Sequence, residues 1–266
     1  MQAAIAMRMS RAPRRCLSGL ASLVLLAAPL APDAGLAASA KALPNFSGAW
    51  MTYPGRSKGP PPDPKLLPPQ ATPLVLKEKY AAAYEATRAA QRESDKRGEP
   101  LANASTECIP NGMPQMMFPI YPIEILQTQG QVTIIAEALS QVRRIFLNQP
   151  QPKIEEVPPG YYGHSVGHWE ADTLVVDTVG VKEEVLGYRD MPHSDQMRIT
   201  ERFHLVAADI LHDQITVADP VTLEKPWTFT FAYKRAPDYQ MLEYVCENNR
   251  EYVDDKGVTR MKLQDH

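Results

Sequence analysis

The sequence lacks the features that mark several large classes of protein. Basic and acidic residues nearly balance, 28 against 31 in 266 residues, so there is no excess positive charge to replace the counterions of a nucleic acid. No serine elbow, phosphate-binding loop or dinucleotide-binding glycine motif occurs. Hydrolase, kinase and dehydrogenase functions are therefore without support.

The sequence also has no apolar run long enough for a typical membrane-spanning helix. What residues 1–40 do have is the composition of an export signal. Arg11, Arg14 and Arg15 precede an apolar run at 17–30, and Ala38-Ser39-Ala40 offers a small-residue cleavage site. These residues predict an exported protein, periplasmic or secreted, without a stable membrane span after cleavage. The general and the twin-arginine export routes both stay open.

Cysteine is scarce, and cleavage of the signal would leave only Cys108 and Cys246. An even number of cysteines in an oxidising compartment favours a disulfide over a thiolate nucleophile or a metal ligand. We therefore predict a bridge between Cys108 and Cys246. It would join a loop before the sheet to a last strand at 242–246.

Proline, by contrast, is abundant and divides the chain. Residues 41–105 contain a first strand with Gly48-x-Trp50, a proline-rich strap at 54–73, and one helix. Thr72-Pro73 is a typical helix start and Gly98 a typical stop, which predicts a helix from there to about residue 96. The loop that follows holds three methionines, which either fill one end of the core or bind copper.

Residues 106–250 are predicted to form the sheet, because from Tyr121 onward the hydrophobic period becomes two, in short runs separated by turn residues. This pattern predicts a mainly β fold, an antiparallel barrel or strongly coiled sheet of about ten strands, in one domain with the first strand and with a single N-terminal helix. Residues 251–266 are predicted to be a charged tail. A barrel of this size can enclose a small molecule. The sequence gives no indication of oligomeric state.

The stretch 160–180 predicts a β-hairpin with its turn at Ala171-Asp172. In that register His168 lies opposite Val175 and His164 opposite Val179, and Asp177 lies diagonally between the two histidines, roughly 7–8 Å from each. Alternation places both histidines and the aspartate on one face of the sheet. We expect that face to border the cavity.

Other strands contribute further candidates. Glu201 lies on the apolar face of its strand, as Asp213 does in the next, and one member of the pair Arg143-Arg144 must point inward. Buried charged groups need partners or a function. The predicted ligand-binding residues are Trp227, Phe229, Phe231, Tyr233, Arg143 and Arg144.

The hairpin motif GHSVGHWEADTLVVDT (163–178), together with the motifs at 141–147, 191–195 and 243–249, resembles a large group of exported bacterial proteins of uncharacterised function. The resemblance implies export and a calycin-like barrel, and no particular activity. Gly48-x-Trp50 is similar to the opening strand of lipocalin barrels, in which the tryptophan packs across the closed end. Where such relatives have glycine in the hairpin turn, this chain has Ala171.

The candidate residues favour an enzyme of the lyase, isomerase or cyclase type that acts on a small, largely apolar or aromatic molecule and needs no cofactor. His164 or His168 would move the proton, Asp177 would orient the imidazole, and Glu201 or His193 would be the second proton carrier. One alternative is a carrier of a hydrophobic ligand without chemistry. Another is a divalent metal bound by His164, His168 and Asp177. A further alternative is that His164 and His168 are core residues, hydrogen-bonded to Asp177 and the buried arginine in a satisfied network.

Overall fold

The structure is a computed structural model, and it describes residues 42–55, 61–99, 101, 108–185, 187–246 and 251–261. The predicted export signal lies outside these residues. Nine of the described strands form one closed barrel in chain order, and the last strand pairs with the first. The strands are β1 Gly48–Thr52, β2 Ile123–Gln127, β3 Gln131–Ala136, β4 Gln141–Leu147, β5 His164–Glu170, β6 Thr173–Val179, β7 Arg198–Ala207, β8 Ile210–Ala218 and β9 Trp227–Arg235.

The barrel is mixed, because β4 and β5 run parallel, with Ile145 opposite Ser165. The prediction of a fully antiparallel sheet was wrong at this pair. A parallel pair requires a connection that returns to the starting end of the sheet. The proline-rich segment 148–163 makes that return, in place of the short turn that joins antiparallel neighbours.

Helix α1 spans Glu78–Lys96, and its end agrees with the prediction, with Gly98 in the left-handed region at φ +69°. Its start is later than predicted. The residues before it are extended along the barrel, where the Thr72 amide donates to the Thr228 carbonyl (2.8 Å) and Leu76 forms a bridge with Leu223. These backbone hydrogen bonds replace the first helical turn.

One prediction near the C-terminus was wrong, because residues 242–246 are not a strand. Within the predicted charged tail, β10 Glu251–Val253 pairs with β11 Thr259–Met261. The predicted disulfide is confirmed: Cys108 and Cys246 are bonded across 138 residues of sequence. Among the helices of the described residues, none combines the length and the hydrophobicity needed to cross a bilayer.

The two ends of the barrel differ. At the end with the tight turns, the Trp50 indole donates to the Phe46 carbonyl (2.8 Å), and the Arg235 guanidinium lies 4.2 Å from the centre of the Trp50 ring. At the other end, Met113, Met116 and Met117 are buried. The methionines therefore fill the core, as one of the two interpretations of that loop predicted.

Candidate active site in the barrel interior

The centre of the barrel holds a buried layer of polar side chains built around Arg143. Its Nη1 donates to Oε1 of Glu201 (2.8 Å), and its Nη2 donates to the other oxygen of the same carboxylate. Nη2 also donates to Thr178 Oγ1 (3.0 Å) and Nε donates to Ser165 Oγ (3.2 Å). Arg143 and Glu201 are almost completely buried, with side-chain exposures of 1% and 0%. The prediction that one arginine of the pair points inward to a carboxylate is confirmed.

Asp213 on β8 belongs to the same layer but is bonded differently. Its cross-strand neighbours are Phe203 and Phe231, and its side chain is fully buried. Within the described part of the chain, neither carboxyl oxygen has a hydrogen-bond partner. Burial raises the pKa of Asp213 well above its ordinary range, the charge of Glu201 raises it further, and Arg143 lowers it. The site therefore favours the neutral, protonated carboxyl group.

Tyr233 on β9 lies in the same interior, fully buried. Its hydroxyl donates to the Met117 carbonyl, so this proton already has an acceptor. Burial raises the pKa of Tyr233 well above its ordinary value, with a smaller contribution from Asp213. Tyr233 is consequently a neutral hydrogen-bond donor that joins the barrel wall to the methionine loop.

The inward side chains at the start of β9 are aromatic, as predicted. Phe229 lies between Trp227 and Phe231, with ring centres 4.6 Å and 5.2 Å away. Two loop residues contact this cluster: Phe118 lies 5.6 Å from Phe231, and the Tyr188 ring contacts Trp227, Phe229 and Phe231. We call Phe118, Trp227, Phe229 and Phe231 the aromatic slot, and the Tyr188 ring lies within it. Phe231 joins it to the polar layer, because Phe231 is the direct partner of Asp213.

The opposite half of the interior is tightly packed. A narrow gap there is lined only by apolar side chains and has no room for a water molecule. One of them is Phe203, the other neighbour of Asp213. A Cβ added at Gly167 would lie 2.9 Å from Cγ2 of Ile145. This half offers no space to a ligand, so entry from the aromatic slot is the route to Asp213 that the packing favours.

The hairpin residues lie elsewhere. The predicted register of β5 and β6 is confirmed, with His168 opposite Val175 and His164 opposite Val179. The expectation that this face borders the cavity was wrong, because Ser165 and Thr178 of the same strands point inward to Arg143. Strand alternation then directs the histidines and Asp177 to the outer surface.

Each of the three has its own contacts on that surface. His168 is 51% exposed and lies 3.3 Å from Oε1 of Glu170, the ring of His164 stacks on Phe146, and Asp177 accepts from Thr200 (2.7 Å). The described residues contain no group of three or more His, Cys, Asp or Glu residues arranged to hold a metal ion. The hairpin residues therefore do not form the predicted shared site.

Two further candidates are also placed away from a cavity. Arg144 is exposed on the outer face of β4. His193 is buried, and its two ring nitrogens face the carbonyl oxygens of Ser194 and Val185. Ser194 in turn donates from its amide and hydroxyl to Asp219, which connects the β6–β7 loop to the β8–β9 loop. His193 thus stabilises a loop, and its nitrogens are not available to a ligand.

Together these features define a closed nine-stranded β-barrel with a buried ionisable layer and an aromatic end. Comparison of the chain with protein-family models and with curated protein sequences finds no match. Sequence reasoning included Asp213 in the inward set but gave it no role, because an aspartate amid apolar residues carries no motif. Sequence reasoning missed Tyr188 and Phe118 because both lie in loops, where hydrophobic periodicity does not predict the direction in which a side chain points.

Proposed function

We propose that the protein is an exported acid–base enzyme, of the lyase, isomerase or cyclase type, that acts on a small, largely aromatic molecule inside its barrel. The observation that carries the proposal is Asp213. A buried carboxyl group without a hydrogen-bond partner is costly, which makes Asp213 a candidate for a functional role. In its neutral form the carboxyl group donates a proton to an oxygen atom of the substrate.

The Arg143–Glu201 pair supports this role without acting as the proton carrier. Both oxygens of Glu201 accept hydrogen bonds from Arg143, so the carboxylate is held in one orientation. Its negative charge disfavours a second charge on Asp213. Glu201 is therefore a positioning residue in this proposal, and Asp213 replaces His164, His168 and His193 as the catalytic residue.

Two features support the proposals that the protein is exported and that its barrel is calycin-like. The bond between Cys108 and Cys246 is compatible with an oxidising compartment, which favours export. The stacking of Arg235 on Trp50 at the end with tight turns supports a calycin-like barrel, as the resemblance of Gly48-x-Trp50 implies.

A carrier without catalytic activity is the second candidate. The aromatic slot favours it, because an apolar wall of stacked rings binds a flat molecule whether or not an acid lies beside it. The two functions differ in what they require of Asp213. An enzyme loses turnover when its proton donor is removed, whereas a carrier retains its affinity.

Proton exchange of an aryl ketone tests the proposal directly. In D₂O the C1 protons of 2-tetralone are replaced by deuterium through the enol, and NMR follows the loss of their signals. Asp213 would donate to the carbonyl oxygen as the C1 proton leaves to solvent. We expect the protein to accelerate exchange, and Asp213→Asn to lower the catalysed rate about 100-fold or more. His168→Ala, on the outer face, should retain it. If Asp213→Asn exchanges protons as fast as the parent protein, the proposal is wrong.

A further inference from the structure

Tyr188 occupies the aromatic slot although it belongs to the loop between β6 and β7. Its ring is stacked on Trp227, with an interplanar angle of 11° and ring centres 5.8 Å apart. The centres of Phe229 and Phe231 lie 4.9 Å and 5.0 Å away, the latter edge-on, and that of Phe118 lies 5.4 Å away. One loop ring therefore fills a space that four other rings surround.

The backbone that carries Tyr188 is strained. Arg189 and Asp190, the two residues that follow it, both have φ of +60°. Neither is glycine, and the left-handed region is unfavourable for residues with a Cβ, more so for arginine than for aspartate. Such a conformation persists only where surrounding contacts stabilise it. The stacked position of Tyr188 is the contact that does so from the barrel side.

From the outside, helix α1 holds the same loop with two surface contacts. The hydroxyl of Tyr84 donates to the Arg189 carbonyl (3.1 Å), and Arg88 pairs with Asp190 (2.9 Å). The side chains of the ion pair are 32% and 46% exposed, so solvent screens their attraction. The outer contacts are weak. On the barrel side the loop is held by the Tyr188 ring and by the buried Met191, whose carbonyl accepts from the Gly187 amide (2.9 Å).

We infer that the space filled by Tyr188 is the binding site for a flat, uncharged aromatic ring of a ligand, which enters by displacing Tyr188. This inference rests on the proposed function in taking the barrel as the site of ligand binding, and it does not depend on catalysis. The four surrounding side chains carry no charge, and their stacked and edge-on faces suit a planar ring. Departure of Tyr188 also relieves the strain at Arg189 and Asp190.

The position of the site beside Phe231 sets which part of a ligand meets Asp213. A ring stacked on Trp227 has Phe231 on its inner side, and Asp213 is the next residue across the sheet. A hydrogen-bond acceptor on the inner edge of the ring would therefore point toward the carboxyl group. The ligand class is an aromatic molecule with an oxygen acceptor at one edge.

Calorimetric titration of the full mature chain with 2-naphthol tests the displacement. If the site binds a ligand only after Tyr188 has left, the observed affinity is the intrinsic affinity multiplied by the fraction of molecules in which Tyr188 is displaced. We expect the parent protein to bind 2-naphthol, Tyr188→Ala to bind it about tenfold more tightly or better, and Tyr188→Phe, which keeps the ring, to match the parent. A crystal structure of the parent complex should show naphthol on Trp227 and Tyr188 outside the slot.

Several results would overturn the inference. The inference is wrong if the parent protein does not bind 2-naphthol. It is also wrong if the Tyr188→Ala and Tyr188→Phe variants bind with equal affinity, or if naphthol binds with Tyr188 still in place. Thermal unfolding of Tyr188→Ala with and without 2-naphthol shows whether the variant is folded, because binding of 2-naphthol to the folded state raises the unfolding midpoint. Tighter binding together with absent ketone exchange would overturn only the proposed catalysis. Intact exchange without tighter binding would overturn only the displacement.

Discussion

The raised pKa of Asp213 makes a prediction about stability that is independent of any ligand. An unfolded aspartate loses its proton near pH 4, whereas burial keeps Asp213 protonated to a much higher pH in the folded protein. Between these two pKa values the folded state binds one more proton than the unfolded state. The free energy of unfolding therefore falls as the pH rises, by about 1.4 kcal/mol per pH unit, and this contribution is constant outside the window.

Asp213→Asn removes this titration while retaining the shape of the side chain. We expect the stability of the variant relative to the parent to increase by about 1.4 kcal/mol for each pH unit above 5, up to the folded-state pKa. Urea unfolding at pH 5, 6 and 7 measures the difference, because the midpoint and slope together give the free energy at each pH. Asp195→Asn, an exposed position, corrects for the loss of one carboxylate.

A constant stability difference between Asp213→Asn and the parent from pH 5 to pH 7 would refute the reasoning. It would mean that Asp213 is ionised in the folded protein and that its charge has a partner, such as an ordered water molecule. The proposed role as a proton donor would then fail together with the prediction, since both require the protonated carboxyl group.

The other predictions concern the stability of the barrel. Arg143→Met should destabilise the fold by about 3–5 kcal/mol, because it leaves Glu201 buried without its partner. In urea unfolding, the double variant Arg143→Met/Glu201→Leu should recover most of that loss. A double variant as unstable as the single one would contradict this. Replacing Cys108 and Cys246 by serine should lower the free energy of unfolding by roughly 4–5 kcal/mol, because the bond closes a long loop in the unfolded chain. Equal unfolding midpoints with and without the bond would disprove it.

Hydrophobic alternation predicted the barrel strands well where one face is clearly apolar. On β7 it placed Glu201 on the buried face, and on β9 it placed Trp227, Phe229 and Phe231 together. Both results follow because the period of two and the apolar residues on one face leave a single orientation that buries them.

The same reasoning failed on β5, where the two faces are alike in polarity. His164 and His168 lie on one face, and Ser165 and Gly167 on the other, so neither face is apolar enough to identify the interior. The choice is made by Arg143 on β4, whose long side chain needs hydrogen-bond acceptors and a space without bulky neighbours. Such a requirement acts between strands and is invisible in the local pattern.

The parallel pair and the inward position of Tyr188 were beyond sequence reasoning for a related cause. Nothing in the residues of β4 distinguishes a parallel from an antiparallel neighbour, because the direction depends on the path of the connection 148–163. The direction in which the Tyr188 side chain points depends on a loop whose backbone conformation is stabilised by tertiary contacts. Periodicity describes regular elements and carries no information about either feature.

The pairing of Trp50 with Arg235 has a consequence for how this protein folds during its synthesis. Among the nine barrel strands β1 is synthesised first, and its partner β9 is synthesised last of the nine. Until β9 is present, unsatisfied backbone groups remain on open strand edges, which attract other chains. Contacts between such distant segments also form slowly. The barrel is therefore vulnerable to aggregation until β9 has paired with β1.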